Sequence, residues 1–334
     1  MMKRWQAKRA LGRLALGCAG LLSIACSDQR LRPSFDDEPP RVRHVPAVPV
    51  PLTSAEPVEG ACVSPECGVA PLAQRFVIIG DYGYSAGPDE AKVAALVARL
   101  KPDFVVTTGD NNYLYGEAAT IDENIGRYFH AFIAPYRGQF GSGAEENRFF
   151  PSLGNHDWNA SAGFQPYLDY FSLPNNERYY QVVRGPVQLF ALNSDWHEPD
   201  GTTSDSKQAH WLEALLGAAE APWRLVFFHH PPYSSGPHGA NLGMRWPFAE
   251  WGASIVYAGH DHTYERLDVD GLPYIVNGVG GKELYELGEP LPESLVRHTD
   301  VHGLVLVTAT ATEFTSRFLD ARGQELDVLR LHKD

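Results

Sequence analysis

Five short polar clusters, each directly after an apolar run, hold the side chains best suited to chemistry in this 334-residue sequence. Phe76-Val77-Ile78-Ile79-Gly80 leads to Asp81-Tyr82-Gly83, and Phe104-Val105-Val106-Thr107-Thr108-Gly109 leads to Asp110-Asn111-Asn112-Tyr113. Phe149-Phe150-Pro151-Ser152-Leu153-Gly154 precedes Asn155-His156-Asp157. Leu225-Val226-Phe227-Phe228 precedes His229-His230-Pro231-Pro232-Tyr233, and Ile255-Val256-Tyr257-Ala258-Gly259 precedes His260-Asp261-His262. The clusters offer carboxylates, an amide oxygen, a phenol and imidazoles, but no thiolate. That donor mixture suits borderline-to-hard metals such as Fe, Zn and Mn. About seven candidate ligands exceed one coordination sphere, so two metals fit better than one. Taken singly, most clusters have plainer readings. A Gly-Asp after a strand is often a turn, Asn155 and Asp157 are good helix caps, and His229-His230 before two prolines can be a loop. His260-Asp261-His262 is the strongest alone, and five in series make coincidence a poor account.

Each apolar run reads as a short buried strand, and the polar groups lie at its C-terminal end, where sites are built in α/β sheets. Glycine before Asp81, Asp110, Asn155 and His260 allows a sharp turn and close backbone approach. Between the runs, Pro88-Asp89-Glu90 followed by Val93, Leu96, Val97 and Leu100 predicts a helix. Trp211, Leu212, Leu215 and Leu216 predict a second. No internal repeat is evident.

The chain is 44% apolar, 21% charged and 11% aromatic, an ordinary globular composition. Its 28 basic and 41 acidic residues give a formal charge of −13, which argues against binding a nucleic-acid duplex. Four cysteines are too few for a disulfide-built scaffold. No apolar run reaches the roughly 18 residues of a spanning helix.

The N-terminus differs from the rest. Lys3, Arg4, Lys8, Arg9 and Arg13 precede an apolar stretch from Leu14 to Ala25, the pattern of an export signal over residues 1–26. The residues before Cys26 resemble a bacterial lipobox, with Ser23 where that pattern usually has Leu. This implies an exported lipoprotein of a bacterial envelope whose only membrane link is a lipid on Cys26, with plain periplasmic or secreted export as the alternative. Residues 27–72 are Pro-rich and aperiodic, an extended tether. Cys62 and Cys67 flank a Pro-containing turn in it and in an exported chain read as a small disulfide loop; a metal site lacks nearby partners. Residues 73–334 remain for one catalytic domain. Loss of the signal would leave 23 basic against 41 acidic residues.

The five clusters together resemble the motif set of the calcineurin-like metallophosphoesterases and, more narrowly, the purple acid phosphatases. Asp81-Tyr82-Gly83 stands where most of the superfamily has Asp-x-His, and Tyr113 stands where the others have Asp or Asn. The Pro-rich segment is too short for the N-terminal β-sandwich of the larger branch, so the resemblance is to the small single-domain branch. It implies an α/β fold, a four-layer α/β/β/α sandwich of two mixed sheets. It also implies that Asp81, Tyr113 and His262 bind ferric iron, and that Asn155, His229 and His260 bind a divalent Fe, Zn or Mn. Asp110 would bridge the two. His156 would contact phosphate, as would His238, nine positions after His229; the alternative for His238 is an ordinary loop histidine. One of these two is the candidate to protonate the leaving alkoxide. His230 departs from the pattern and has no assigned role beyond its place next to a ligand. The implied activity is acid hydrolysis of small phosphate monoesters by in-line attack of a metal-bound hydroxide. The alternatives are a phosphodiesterase or nucleotidase on the same centre, and a non-catalytic surface lipoprotein. Nothing in the sequence indicates an oligomeric state.

Overall fold

The computed structural model describes residues 73–333. The export signal, Cys26, the tether and the Cys62–Cys67 pair lie outside the described residues. Thirteen strands follow in chain order: β1 (Gln74–Ile79), β2 (Phe104–Thr107), β3 (Phe149–Pro151), β4 (Tyr180–Arg184), β5 (Val187–Ala191), β6 (Trp223–Phe227), β7 (Ile255–Ala258), β8 (Tyr264–Val269), β9 (Leu272–Asn277), β10 (Ser294–His298), β11 (Gly303–Ala309), β12 (Glu313–Asp320) and β13 (Glu325–His332). They form two mixed sheets, ordered β13-β12-β11-β1-β2-β3 and β10-β8-β9-β7-β6-β5-β4. The five apolar runs read from sequence are β1, β2, β3, β6 and β7.

Alternation along the central strands explains the layering. Leu189 and Ala191 of β5, Leu225 and Phe227 of β6, and Ile255 and Tyr257 of β7 join a core shared with Phe76 and Ile78 of β1 and Val305 and Val307 of β11. Their neighbours Phe190, Val226 and Val256 face the other way and pack with Leu212 and Leu216 of helix Lys207–Gly217. Period-two side chains therefore fill both faces of the second sheet, as buried strands require. Helix Asp89–Leu100 packs on the first sheet through Val93, Leu96 and Val97. Asp89 in its first turn favours the positive end of the helix dipole. Helix Lys207–Gly217 starts at Ser206, whose hydroxyl accepts the Ala209 N–H at 3.1 Å. The result is the expected α/β/β/α sandwich.

Register sets where the site falls. In the first sheet β1, β2 and β3 are parallel neighbours, with Ile79 opposite Thr107 and Thr107 opposite Pro151. In the second sheet β5, β6, β7 and β9 are parallel, with Ala191, Phe227, Tyr257 and Ile275 in one row. Just beyond these rows come Asp81, Asp110, Asn155, His229 and His260. Because both rows end on a common edge, residues as far apart as Asp81 and His260, separated by 179 positions, meet there.

The sheets are also tied at their far strands. Asp327 of β13 accepts from Arg266 Nε and Nη2 of β8 at 2.7 and 3.1 Å and from the Tyr264 hydroxyl at 2.8 Å. Burial opposes ionisation of Asp327, but these bonds overcome it and hold the carboxyl below its ordinary value. A lowered folded-state pKa adds stability above the unfolded value of about 3.9, and that stability is lost as pH falls below it. We expect Asp327→Ala to lower unfolding free energy by about 2 kcal/mol at pH 7. In urea melts the gap between wild type and variant should shrink as pH falls from about 5 toward 3; a gap independent of pH would refute this role.

Candidate active site

Seven donors meet at the shared sheet edge in two groups. The Tyr113 hydroxyl oxygen lies 2.9 Å from Asp110 Oδ2, 3.2 Å from Asp81 Oδ1 and 3.1 Å from His262 Nε2. His229 Nε2 lies 3.0 Å from Asn155 Oδ1, 3.2 Å from His260 Nδ1 and 3.4 Å from Asp110 Oδ2. Asp110 Oδ2 is therefore common to both groups. Asp81, Asp110 and His229 are fully or almost fully buried.

The backbone aims these groups. Asp81, Asp110 and His260 have φ of 55°, 50° and 72°, in the left-handed region. Sequence reading assigned the tight turn to the preceding glycines; the structure puts the unfavourable φ largely on the ligand-type residues themselves. That conformation costs roughly 1–3 kcal/mol for a non-glycine residue and is typical of functional sites. Glycine serves close approach instead. A Cβ on Gly154 would sit 2.2 Å from Asp110 Oδ1, and one on Gly83 would sit 1.7 Å from the Asn111 carbonyl oxygen. This explains Gly83 in the first motif: the loops after β1 and β2 touch there.

Hydrogen bonds on the far side of each ring select the nitrogen that faces inward. His229 Nδ1 lies 2.9 Å from the Thr108 carbonyl oxygen and His262 Nδ1 lies 2.6 Å from that of Glu283. A carbonyl only accepts, so Nδ1 carries the hydrogen and Nε2 turns a lone pair toward the site. One phenol proton cannot serve three acceptors around Tyr113, and His229 Nε2 likewise faces acceptors. The arrangement calls for cations, and the donor set fits metal ions.

The titration behaviour agrees. Burial favours neutral His229, but Asp110 outweighs it and pushes the imidazole up to about 10. Burial also resists ionisation of Asp110, yet His229 and His156 hold its carboxyl well below the usual range. Burial, then Asp110 and Asp81, push the Tyr113 phenol far up. An acidic pocket that draws protons onto His229 would hold a metal cation in their place. His260 is pushed down, first by burial and then by His229.

Three further histidines border the donors: His156 beside Asp110 and Tyr113, and His238 and His230 beside His260. His156 is part-exposed, with Nε2 3.9 Å from Asp110 Oδ2 and its ring 4.5 Å from that of Tyr113. His156 Nδ1 is tied to the Leu114 carbonyl oxygen at 2.5 Å. His238 is exposed, with its ring 4.4 Å from that of His260. His230 packs its ring 4.5 Å from the same His260, while its Nδ1 lies 2.9 Å from Ser194 Oγ. Burial, then His229, push His230 down to about 3, so it is neutral.

Over residues 74–264 the sequence matches the calcineurin-like phosphoesterases. The chain belongs to this family. Among the relatives of this phosphoesterase is purple acid phosphatase 17 of Arabidopsis thaliana, 24% identical over 285 residues that cover 75% of this chain and 82% of the other. Tartrate-resistant acid phosphatase type 5 of Homo sapiens is 24% identical over 303 residues, covering 78% and 91%. Purple acid phosphatase PPD1 from yellow lupin seeds shares the fold, with a TM-score of 0.66 at 20% identity, over 79% of this chain and 54% of that one. GAP50, the anchor in the inner membrane complex of Plasmodium, also shares it, with a TM-score of 0.62 at 14% identity, over 78% and 89%.

The phosphoesterase site contains supporting residues that motif reading passed over. Asp157 accepts N–H bonds from Gly154 at 2.8 Å, from the Asn111 backbone at 3.1 Å and from Asn111 Nδ2 at 2.8 Å. It thereby joins the loops carrying Asp110 and Asn155. Burial, then Asp110, push its carboxyl up, against those three donors. Asp261 takes the Ser234 hydroxyl and the His238 N–H, the latter at 3.0 Å, and so fixes the His238 loop. Asp157 and Asp261 lie inside quoted motifs, so only their roles were missed. Lys282, with its ammonium 5.5 Å from the Tyr113 ring centre, and Tyr285, stacked 4.1 Å on His262, lie in a segment with no periodic signal. Asp157→Ala leaves three N–H groups without an acceptor. We expect it to weaken metal affinity by about 10- to 100-fold, measured by titrating zinc into chelator-stripped protein. Wild-type affinity in the variant would show that the two loops keep their places without this carboxylate.

Proposed function

We propose that this chain is a dinuclear-metal acid phosphatase acting on phosphate monoesters. The two sets of contacts that share Asp110 Oδ2, one gathered at the Tyr113 hydroxyl and one at His229 Nε2, carry the reading. Asp81, Tyr113 and His262 would hold ferric iron, Asn155, His229 and His260 a divalent Fe, Zn or Mn, and Asp110 would serve both. When bound, such a pair neutralises phosphate charge and supplies an activated water in line with the leaving group.

The chain's own groups do the rest. Tyr113, whose phenol alone is hard to ionise, releases its proton only where a strong cation replaces it. His156 is tethered through Nδ1, so Nε2 is its free end and can donate to a phosphate oxygen. His238 stands beside His260, where it can donate to the leaving alkoxide. Imidazolium donors work best in acid solution. Asp157 and Asp261 hold no substrate; they keep the loops of the reacting groups in register. We also propose an extracytoplasmic setting, supported by the signal-like residues 1–26 and the Pro-rich residues 27–72.

Purified protein is expected to contain two metal ions and to absorb visible light through a tyrosinate-to-iron band. Tyr113→Phe should bleach that band. A colourless, fully active enzyme would sink the iron assignment while leaving a Zn or Mn enzyme. His260→Ala should cut turnover of an aryl phosphate by more than about 100-fold, beyond the loss typical of an outer-sphere partner; unchanged turnover would refute the site. Faster hydrolysis of a diester than of the matching monoester would replace the monoesterase reading with a phosphodiesterase.

A further inference from the structure

Trp196 is the most exposed large apolar side chain among the described residues, at 76% relative exposure. It is not on a loose segment. Its loop follows β5 and is fastened by buried polar side chains on both sides. Asn193 N–H donates to Gln208 Oε1 at 2.8 Å, and Asn193 Nδ2 donates to Glu198 Oε2 at 2.7 Å. Asp195 accepts the His197 N–H at 2.9 Å and holds His197 Nδ1 at 2.6 Å. Asn193, Asp195, Glu198 and Gln208 are all buried. A rigid loop thus presents an indole to water, which burial energetics alone would disfavour.

The same loop is pinned to the candidate active site at two points. Ser194, two residues before Trp196, bonds His230, whose ring packs against His260. His197 stacks at 5.5 Å and 20° on Trp158, two residues after His156. One face of the Trp196 indole lies against His197, with ring centres 3.4 Å apart. The high exposure leaves the other face open. A second exposed apolar pair, Leu114 and Tyr115, borders His156 through the bond from His156 Nδ1 to the Leu114 carbonyl. Through His197 on Trp158, and through Leu114 on His156, two exposed aromatic residues, Trp196 and Tyr115, are linked to the helix that carries His156.

We propose that Trp196 forms the wall of a subsite for a planar aromatic leaving group on the phosphate ester, with His197 fixing the angle of the indole. The proposal rests on the phosphatase reading and names its substrate class. Stacking on an exposed aromatic ring accepts any flat π-face, so the subsite selects planarity rather than one hydrogen-bonding pattern. It acts on the leaving side of the ester and leaves phosphate capture to the metal ligands and His156.

The test compares benzyl phosphate with cyclohexylmethyl phosphate, esters of similar size and similar alkoxide leaving groups that differ in planarity. In wild type, kcat/KM should favour benzyl phosphate by about tenfold, equivalent to about 1.4 kcal/mol of stacking. Trp196→Ala should erase that preference and leave cyclohexylmethyl phosphate within about twofold of wild type, whereas Trp196→Phe should keep most of it. Equal kcat/KM for the two esters in wild type, or a preference that survives Trp196→Ala, overturns the subsite while the phosphatase reading stands. Hydrolysis of neither ester by metal-loaded wild type overturns the phosphatase reading and the subsite with it.

Discussion

Everything at the centre of this protein depends on an electrostatic conflict at one oxygen, Asp110 Oδ2. It lies within 3.4 Å of both a phenol oxygen and an imidazole nitrogen, and each of these faces two further donor atoms for a metal. Acceptors crowded in a buried volume repel one another unless positive charge sits between them. The site therefore cannot hold itself together, and the scaffold must hold it. Three ligand-type residues take left-handed backbone angles, and Thr108 and Glu283 carbonyls orient two imidazoles. The buried carboxylates Asp157 and Asp261 lock the loops.

The two sheets divide this work chemically. The first supplies the carboxylates of Asp81 and Asp110, the amide of Asn155 and the phenol of Tyr113. The second supplies the imidazoles of His229, His260 and His262. The first sheet alone would present oxygen donors and the second nitrogen donors; the joint edge presents both within hydrogen-bonding distance. This also reconciles a strongly acidic chain with an anionic substrate. The formal charge of −13 is spread over the molecule, whereas metal cations held between Asp81, Asp110 and the imidazoles would reverse the field locally, where bound ions are the largest charges.

Motif reading and structure agree where chain geometry is local. An apolar run followed by a polar residue is a strand ending in a turn, and β1, β2, β3, β6 and β7 all end that way, all but β6 with a glycine at the turn. The helix spacing of Val93, Leu96 and Val97 gave a buried face for the same reason. Agreement weakens where a residue's role depends on what another loop brings to it. Asp157 was quoted as part of a motif, yet its three N–H partners come from two separate loops. Lys282 and Tyr285 sit in an irregular stretch, and Ser194 and Trp196 follow a strand that carries no ligand. Their closeness to the site comes from sheet order, which has no short-range signature.

By itself the sequence determined the donor types, their order, their attachment to strand ends and hence the family and fold class. Those features follow from local backbone chemistry, from the two-residue repeat of strands and the turning of the chain after them. Only the tertiary structure decided that Asp157 and Asp261 lock the loops of these donors and that His230 turns to Ser194. It also decided that Trp196 is held open beside them. These are matters of register between strands far apart in the chain, and register is set by the packing of whole sheets.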